Sequence, residues 1–163
     1  MKDLVRRVVV GTVGSATFAG LIVIGPPASA WVYCNTVSSV SDTSSGRIRY
    51  PTYNGDINCD MRLNTNGDAR QREAISQLQE TLNVCYSAIR YTIGNHVPPY
   101  AVTSVLSVDG EYGSKTREAV KSVQRYHNGL GASLVVDGYA GPKTRSTMLH
   151  QNVEQNFCSF RSQ

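Results

Sequence analysis

Four cysteines, three histidines and one phrase written twice are the residues whose types and spacing suit chemistry in this 163-residue chain. The histidines, His96, His127 and His150, show no H-E-x-x-H or similar spacing, so no zinc hydrolase signature is present. The cysteines, Cys34, Cys59, Cys85 and Cys158, contain no C-x-x-C pair with a nearby histidine, so metal binding is not favoured. An even cysteine count predicts two disulfides. Four cysteines allow three pairings. The preferred one is Cys34–Cys59, closing a local hairpin-like segment, with Cys85–Cys158 tying the C-terminus back to a helix. In a chain-entropy model each contributes roughly 3–4.5 kcal/mol. A Cys–His nucleophile needs a free thiol, which this pairing consumes. No sequence pattern sets two carboxylates across a cleft as a muramidase requires. No catalytic residue, cofactor or metal site is therefore expected.

The repeated phrase is DGEYGSKTR, from Asp109, and DGYAGPKTR, from Asp137, 28 residues later. Both read D-G-x-x-G-x-K-T-R. Asp109–Gly110 and Asp137–Gly138 predict tight turns, and Gly113 and Gly141 are expected to let the chain reverse without a Cβ clash. Ser114 and Pro142 then start helices, with Thr116 and Thr144 in the first turn. The variable loop positions carry Tyr112 and Tyr139, each with an apolar face and a polar tip. Arg117, Lys143 and Arg145 follow, suited to carboxylates. These five are the candidate ligand contacts. Asp109 and Asp137 are read as turn-makers. Gln79 and Gln124, beside core positions, are read as buried and bonded to loop backbone.

The elements that position these residues follow from periodicity. Ile75, Leu78, Leu82, Cys85 and Ile89 mark one face of a helix from about residue 69, with Asp68 as N-cap. Residues 87–108, with Gly94, Pro98 and Pro99, form a long connection. A second helix starts near Ser114, with Ala119, Val120, Val123, Tyr126 or His127, and Leu130 as its apolar positions; Gly129 and Gly131 end it. A third begins at Pro142, with Met148 and Leu149 as core candidates. Residues 31–68 lack helical period and read as an irregular or β-rich extension stapled by Cys34–Cys59. Residues 153–163 read as a tail fixed by Cys158.

Residues 1–30 read as a secretory signal. Lys2, Arg6 and Arg7 precede the uncharged run Val8 to Ile24, and GPPASA follows, with cleavage expected after Ala30. Removing Lys2, Arg6, Arg7 and Asp3 from 16 basic and 12 acidic residues leaves 13 and 11, a net charge of +2. That excess, without a like-charge block, predicts no nucleic-acid binding. No stable membrane insertion is expected after cleavage, and the protein is expected to be an exported monomer.

AISQLQETLN at 74–83, VDGEYGSKTREAVKSVQ at 108–124 and VDGYAGPKTRSTM at 136–148 together resemble the peptidoglycan-binding domain found on bacterial cell-wall hydrolases. The resemblance covers about residues 69–152. It implies a mainly α, compact three-helix domain that holds peptidoglycan noncovalently, through stem peptide or glycan. The connection at 87–108 is longer than that family's usual link. The extension at 31–68 resembles the cysteine-bearing segment of small secreted actinobacterial proteins of this type. The expected function is a secreted, cell-wall-associated, non-catalytic binding protein. The alternatives are a secreted regulator or inhibitor of a wall enzyme, and a wall hydrolase. The same three-helix fold resembles the matrix metalloprotease pro-domain, whose P-R-C-G motif is absent here.

Overall fold

A computed structural model of the chain describes residues 32–43, 46–63, 67–88, 101–153 and 157–163. Residues 1–30, expected to be a signal, Ile89 and most of the long connection lie outside the described residues.

Strands β1 (Thr36–Ser41) and β2 (Arg47–Thr52) pair antiparallel, with Thr36 opposite Thr52 and Ser41 opposite Arg47. The turn between them is closed by Asp42, whose carboxylate accepts the Gly46 amide at 2.7 Å. Alternation along β2 turns Ile48 and Tyr50 inward and leaves Arg47 and Arg49 exposed, as a one-sided strand requires. Cys34–Cys59 joins the start of this hairpin to the segment that follows it.

Helix α1 (Ala69–Tyr86) begins where Asp68 accepts from the amides of Arg70 and Gln71. Its buried positions run nearly all round: Ile75, Leu78, Leu82 and Cys85 on the predicted face, but also Gln77, Thr81 and Asn83. The cause is that α1 is central, packed against β1, β2, β3 and α2. Helix α2 (Ser114–Gly129) buries Ala119, Val120, Val123 and His127. Leu130, expected on that face, is instead 67% exposed at the C-cap, and Gly131 turns the chain away at φ +98°.

Helix α3 (Pro142–Thr147) is only six residues long, with Pro142 in its first turn. Met148 caps it, and Leu149 opens strand β3 (Leu149–Gln151) instead of continuing the helix. Strand β4 (Cys158–Phe160) pairs antiparallel with β3, and Cys158 is bonded to Cys85 of α1. Isolated bridges from Asn152 to Ile48 and from Arg161 to Asp42 connect this second hairpin to the first. The expectation of a mainly α, compact three-helix fold is thus corrected. Three helices are present, but the fold is mixed: α3 is too short to complete a bundle, and two β-hairpins cover the core. What read as a tail contains a strand.

Residues 31–163 form one compact unit. One apolar core holds Cys34, Cys59 and Met61 from the extension together with Leu78, Leu82 and Val123 from the helices.

Candidate functional site

Each copy of the repeated phrase is held by the helix before it, through corresponding glutamine and asparagine side chains. Gln79 of α1 donates through Nε2 to Asp109 Oδ1 (2.8 Å), to the Glu111 carbonyl (3.1 Å) and to Thr116 Oγ1 (3.2 Å). Its Oε1 accepts from the amides of Asp109 and Gly110. Gln124 of α2 donates to Asp137 Oδ1 (3.0 Å), the Tyr139 carbonyl (3.1 Å) and Thr144 Oγ1 (3.2 Å), and accepts from the Gly138 amide. One turn further on, Asn83 exchanges two hydrogen bonds with the Leu106 backbone, and Asn128 does the same with Leu134. One amide side chain thereby satisfies several groups of a tight loop that has no ladder of its own. Asp109 and Asp137 complete each turn by accepting the amide two residues on, from Glu111 (2.9 Å) and Tyr139 (2.8 Å). The Gln79 hydrogen bond, then the Glu111 amide, holds the Asp109 carboxyl below its usual range.

The repeat is therefore longer than the phrase. It includes R-x6-Q-x3-N upstream: Arg72, Gln79, Asn83 in one copy and Arg117, Gln124, Asn128 in the other. Arg72 and Arg117 donate to the carbonyls of Asp109 and Asp137 respectively.

The left-handed glycine requirement falls on the first glycine of each phrase; Gly113 and Gly141 have extended backbones, although a Cβ on Gly141 would press on Asp60 Oδ1 at 3.0 Å. Gly110 and Gly138 have φ +70° and +76°. A Cβ on Gly138 would sit 2.5 Å from Arg117 Cγ and 2.9 Å from the Arg117 carbonyl. Gly113 has an ordinary extended backbone as the N-cap of α2, and a Cβ there meets nothing within 4 Å. The expectation that Gly113 resists substitution is corrected accordingly. Gly138→Ser should lower stability by about 2 kcal/mol or more, from left-handed strain and the clash. Gly113→Ser should be near neutral, because serine suits an N-cap. Urea unfolding of the two variants checks this; equal losses would refute it.

The two tyrosines occupy different positions of the phrase, and this separates their fates. Tyr112 aligns with Ala140, the fourth position, which points inward in both copies: Tyr112 is 1% and Ala140 0% exposed. Its hydroxyl donates to the Gly138 carbonyl at 2.9 Å, so the first copy's ring braces the second copy's loop. The expectation that Tyr112 is a surface ligand contact is corrected. Tyr139 aligns with Glu111, the third position, exposed in both copies.

Arg145 is the second correction. It is fully buried, and its guanidinium donates to the carbonyls of Ile57 (2.7 Å), Cys59 (2.8 Å) and Ala140. It bolts the extension to the second loop and presents no charge to a ligand. Arg117 is half-buried on the Asp137 carbonyl; Lys143 is exposed, its ammonium on the Ser133 carbonyl at 2.6 Å.

Each phrase borders a cleft, and the linings correspond at an offset of 28 except for Gln79 in the first and Asp60 in the second. The first, of about 200 Å³, is lined by Leu106, Ser107, Glu111, Ser114 and Lys115 among others. The second, of about 210 Å³, has Leu134, Val135, Tyr139, Pro142 and Lys143 at those places. Valine and tyrosine for serine and glutamate make the second cleft apolar and aromatic, the usual character of a ligand site. The guanidinium of Arg62 lies 5.6 Å from the Tyr139 ring centroid and 5.3 Å from that of Tyr33. Asp60, Arg62 and Tyr33 were not singled out from sequence; they carry no motif and reach the cleft only through the fold. A third cleft, of about 490 Å³, lies between residues 102–106 and the first half of α2.

Among the described residues, no cluster of His, Cys, Asp or Glu is arranged to hold a metal ion. His127 and His150 are buried core residues, on Tyr86 and on the Arg145 carbonyl respectively.

Residues 71–148 match the family model described as Putative peptidoglycan binding domain. That span contains both phrases, both glutamines and both asparagines, but not Tyr33, Asp60 or Arg62. No curated protein and no solved structure matches the chain.

Proposed function

We propose that this protein is an exported, non-catalytic module that binds peptidoglycan at the cleft beside the second D-G loop. The match of residues 71–148 to the peptidoglycan-binding family model carries this reading. One observation supports the choice of cleft. Of the two related clefts, only the second has an outward aromatic ring and an apolar wall. Lys143 at its rim, the counterpart of Lys115 in the first cleft, can meet a stem-peptide carboxylate. Export is supported by the signal-like residues 1–30 and by two disulfides, which persist in oxidising surroundings.

Tyr139 is the residue to test. Its ring is 38% exposed, and among the described residues its side chain makes no hydrogen bond that the fold depends on. Tyr139→Ala should leave the melting temperature nearly unchanged. Loss of a contacting aromatic costs on the order of 1–2 kcal/mol or more, so the sedimentation isotherm with insoluble peptidoglycan should weaken about tenfold. Wild-type binding by a well-folded Tyr139→Ala would move the site away from this cleft.

A further inference from the structure

The cleft is completed by a residue that lies outside the family-matched span. Asp60 is 5% exposed and lines the same cleft as Tyr139 and Lys143. Its position is fixed by the extension. The Asp60 amide donates to Val32, its carbonyl accepts from Cys34, and the next residue, Met61, accepts from the Ala140 amide of the second loop. Asp60 Oδ1 comes close enough to Gly141 that an added Cβ there would meet it at 3.0 Å.

Among the described residues, no side chain hydrogen-bonds the Asp60 carboxylate and none forms an ion pair with it. The two nearby cations are directed elsewhere. Arg145 donates from its two terminal nitrogens to the carbonyls of Ile57, Cys59 and Ala140, and its Nε has no partner among the described residues. Arg62 donates to the Tyr33 hydroxyl at 2.8 Å and lies over two rings. Burial raises the Asp60 carboxyl above its usual range; Arg62, Arg145 and a hydrogen bond from the Met61 amide pull the other way without cancelling it, and Asp137 adds to the rise. The cleft thus offers an under-compensated carboxylate beside an apolar wall of Leu134, Val135 and Pro142 and next to an aromatic ring. A group that satisfies all three is an ammonium on an aliphatic chain.

The geometry points to a ligand with a free side-chain amine, the diamino acid of a peptidoglycan stem peptide. Its ammonium meets Asp60 and its methylenes lie along Leu134, Val135 and Tyr139. This rests on the wall-binding reading and adds the part of the polymer that is read. Lys143, held on Ser133, remains to take a backbone or terminal carboxylate of the same peptide.

The test uses two soluble tripeptides, Ala-Glu-Lys with a free ε-amine and its Nε-acetylated form, titrated calorimetrically into the full-length protein and Asp60→Asn. The free amine should bind the wild type at least tenfold more tightly than the acetylated form. Asp60→Asn should bind both alike, at the weaker level, with an unchanged melting temperature. Equal affinities in the wild type, or no binding of either peptide, would overturn the inference whether or not the variant folds. Sedimentation of the same preparation with insoluble peptidoglycan separates the two readings. Pelleting without amine preference sinks only the role of Asp60, whereas failure to pellet sinks the wall-binding reading with it.

Discussion

Arg145→Met should cost about 4 kcal/mol of folding stability. The side chain is 0% exposed and its donors end on carbonyls from three places in the chain: Ile57 and Cys59 in the extension and Ala140 in the second loop. Methionine fills comparable space but donates nothing. Each carbonyl left unpaired in the interior costs roughly 1–3 kcal/mol. Against this, the guanidinium no longer has to be stripped of water, which recovers part of the loss. The three orphaned acceptors outweigh that recovery, because the carbonyls stay buried in either variant. Arg145→Lys keeps the charge but offers a compact ammonium in place of a fork, so it should recover less than half of the loss. Urea unfolding measures both. A loss under about 1 kcal/mol for Arg145→Met would mean the extension is held to the second loop by something other than this residue.

Acid should destabilise the protein well above the carboxylate range. Burial holds both His127 and His150 down to about 4. His127 Nε2 shares a 2.8 Å hydrogen bond with the Tyr86 hydroxyl, whose oxygen also accepts the Leu149 amide. His150 donates Nε2–H to the Arg145 carbonyl and has no partner at Nδ1, and a proton there would sit near the charges of Arg145 and Arg161. The unfolded chain takes up a proton at each histidine near pH 6.5. The stability from keeping them neutral is therefore fully present above about 6.5. It is lost as pH falls toward 4, because the unfolded state binds protons that the folded state refuses. At pH 5 each histidine accounts for about 2 kcal/mol, so roughly 4 kcal/mol should disappear between pH 7.5 and 5. Asp60, whose carboxyl is raised, acts in the opposite direction at the lower end of this range. Unfolding free energies at pH 7.5, 6 and 5 check the slope, and His150→Asn should reduce it. A flat profile across that range would show that neither ring is buried neutral.

The parts of the fold legible in the sequence are those with local signals. Periodicity located α1 and α2, Asp68 marked the start of α1, and Pro142 marked that of α3. Of the three cysteine pairings the sequence allows, the structure has the preferred one, Cys34–Cys59 with Cys85–Cys158. β4 was not legible, because three residues beside a cysteine have no period to detect. The shortness of α3 was hidden as well: Met148 and Leu149 continue an apolar pattern, and only pairing with residues 158–160 turns them into a strand.

The site shows the same division. The repeated phrase was visible, but reading its two tyrosines as equivalent overlooked a shift of one position. In a tight loop that shift exchanges inside for outside, and aligning Tyr112 with Ala140 would have exposed it. Arg117 and Arg145 fill the same place in the phrase, yet only the second lies against the extension, 86 residues upstream of it in the contact with Cys59. Burial by so distant a segment leaves no trace in local spacing. Asp60 and Arg62 were missed for the same reason.

The measurement that bears most directly on the central claim is sedimentation of the wild-type protein with purified insoluble peptidoglycan, intact and after enzymatic removal of the stem peptides. Pelleting should be saturable with the intact polymer and at least tenfold weaker once the peptides are gone. A protein that stays in the supernatant with intact peptidoglycan, while folded by circular dichroism, would contradict the claim.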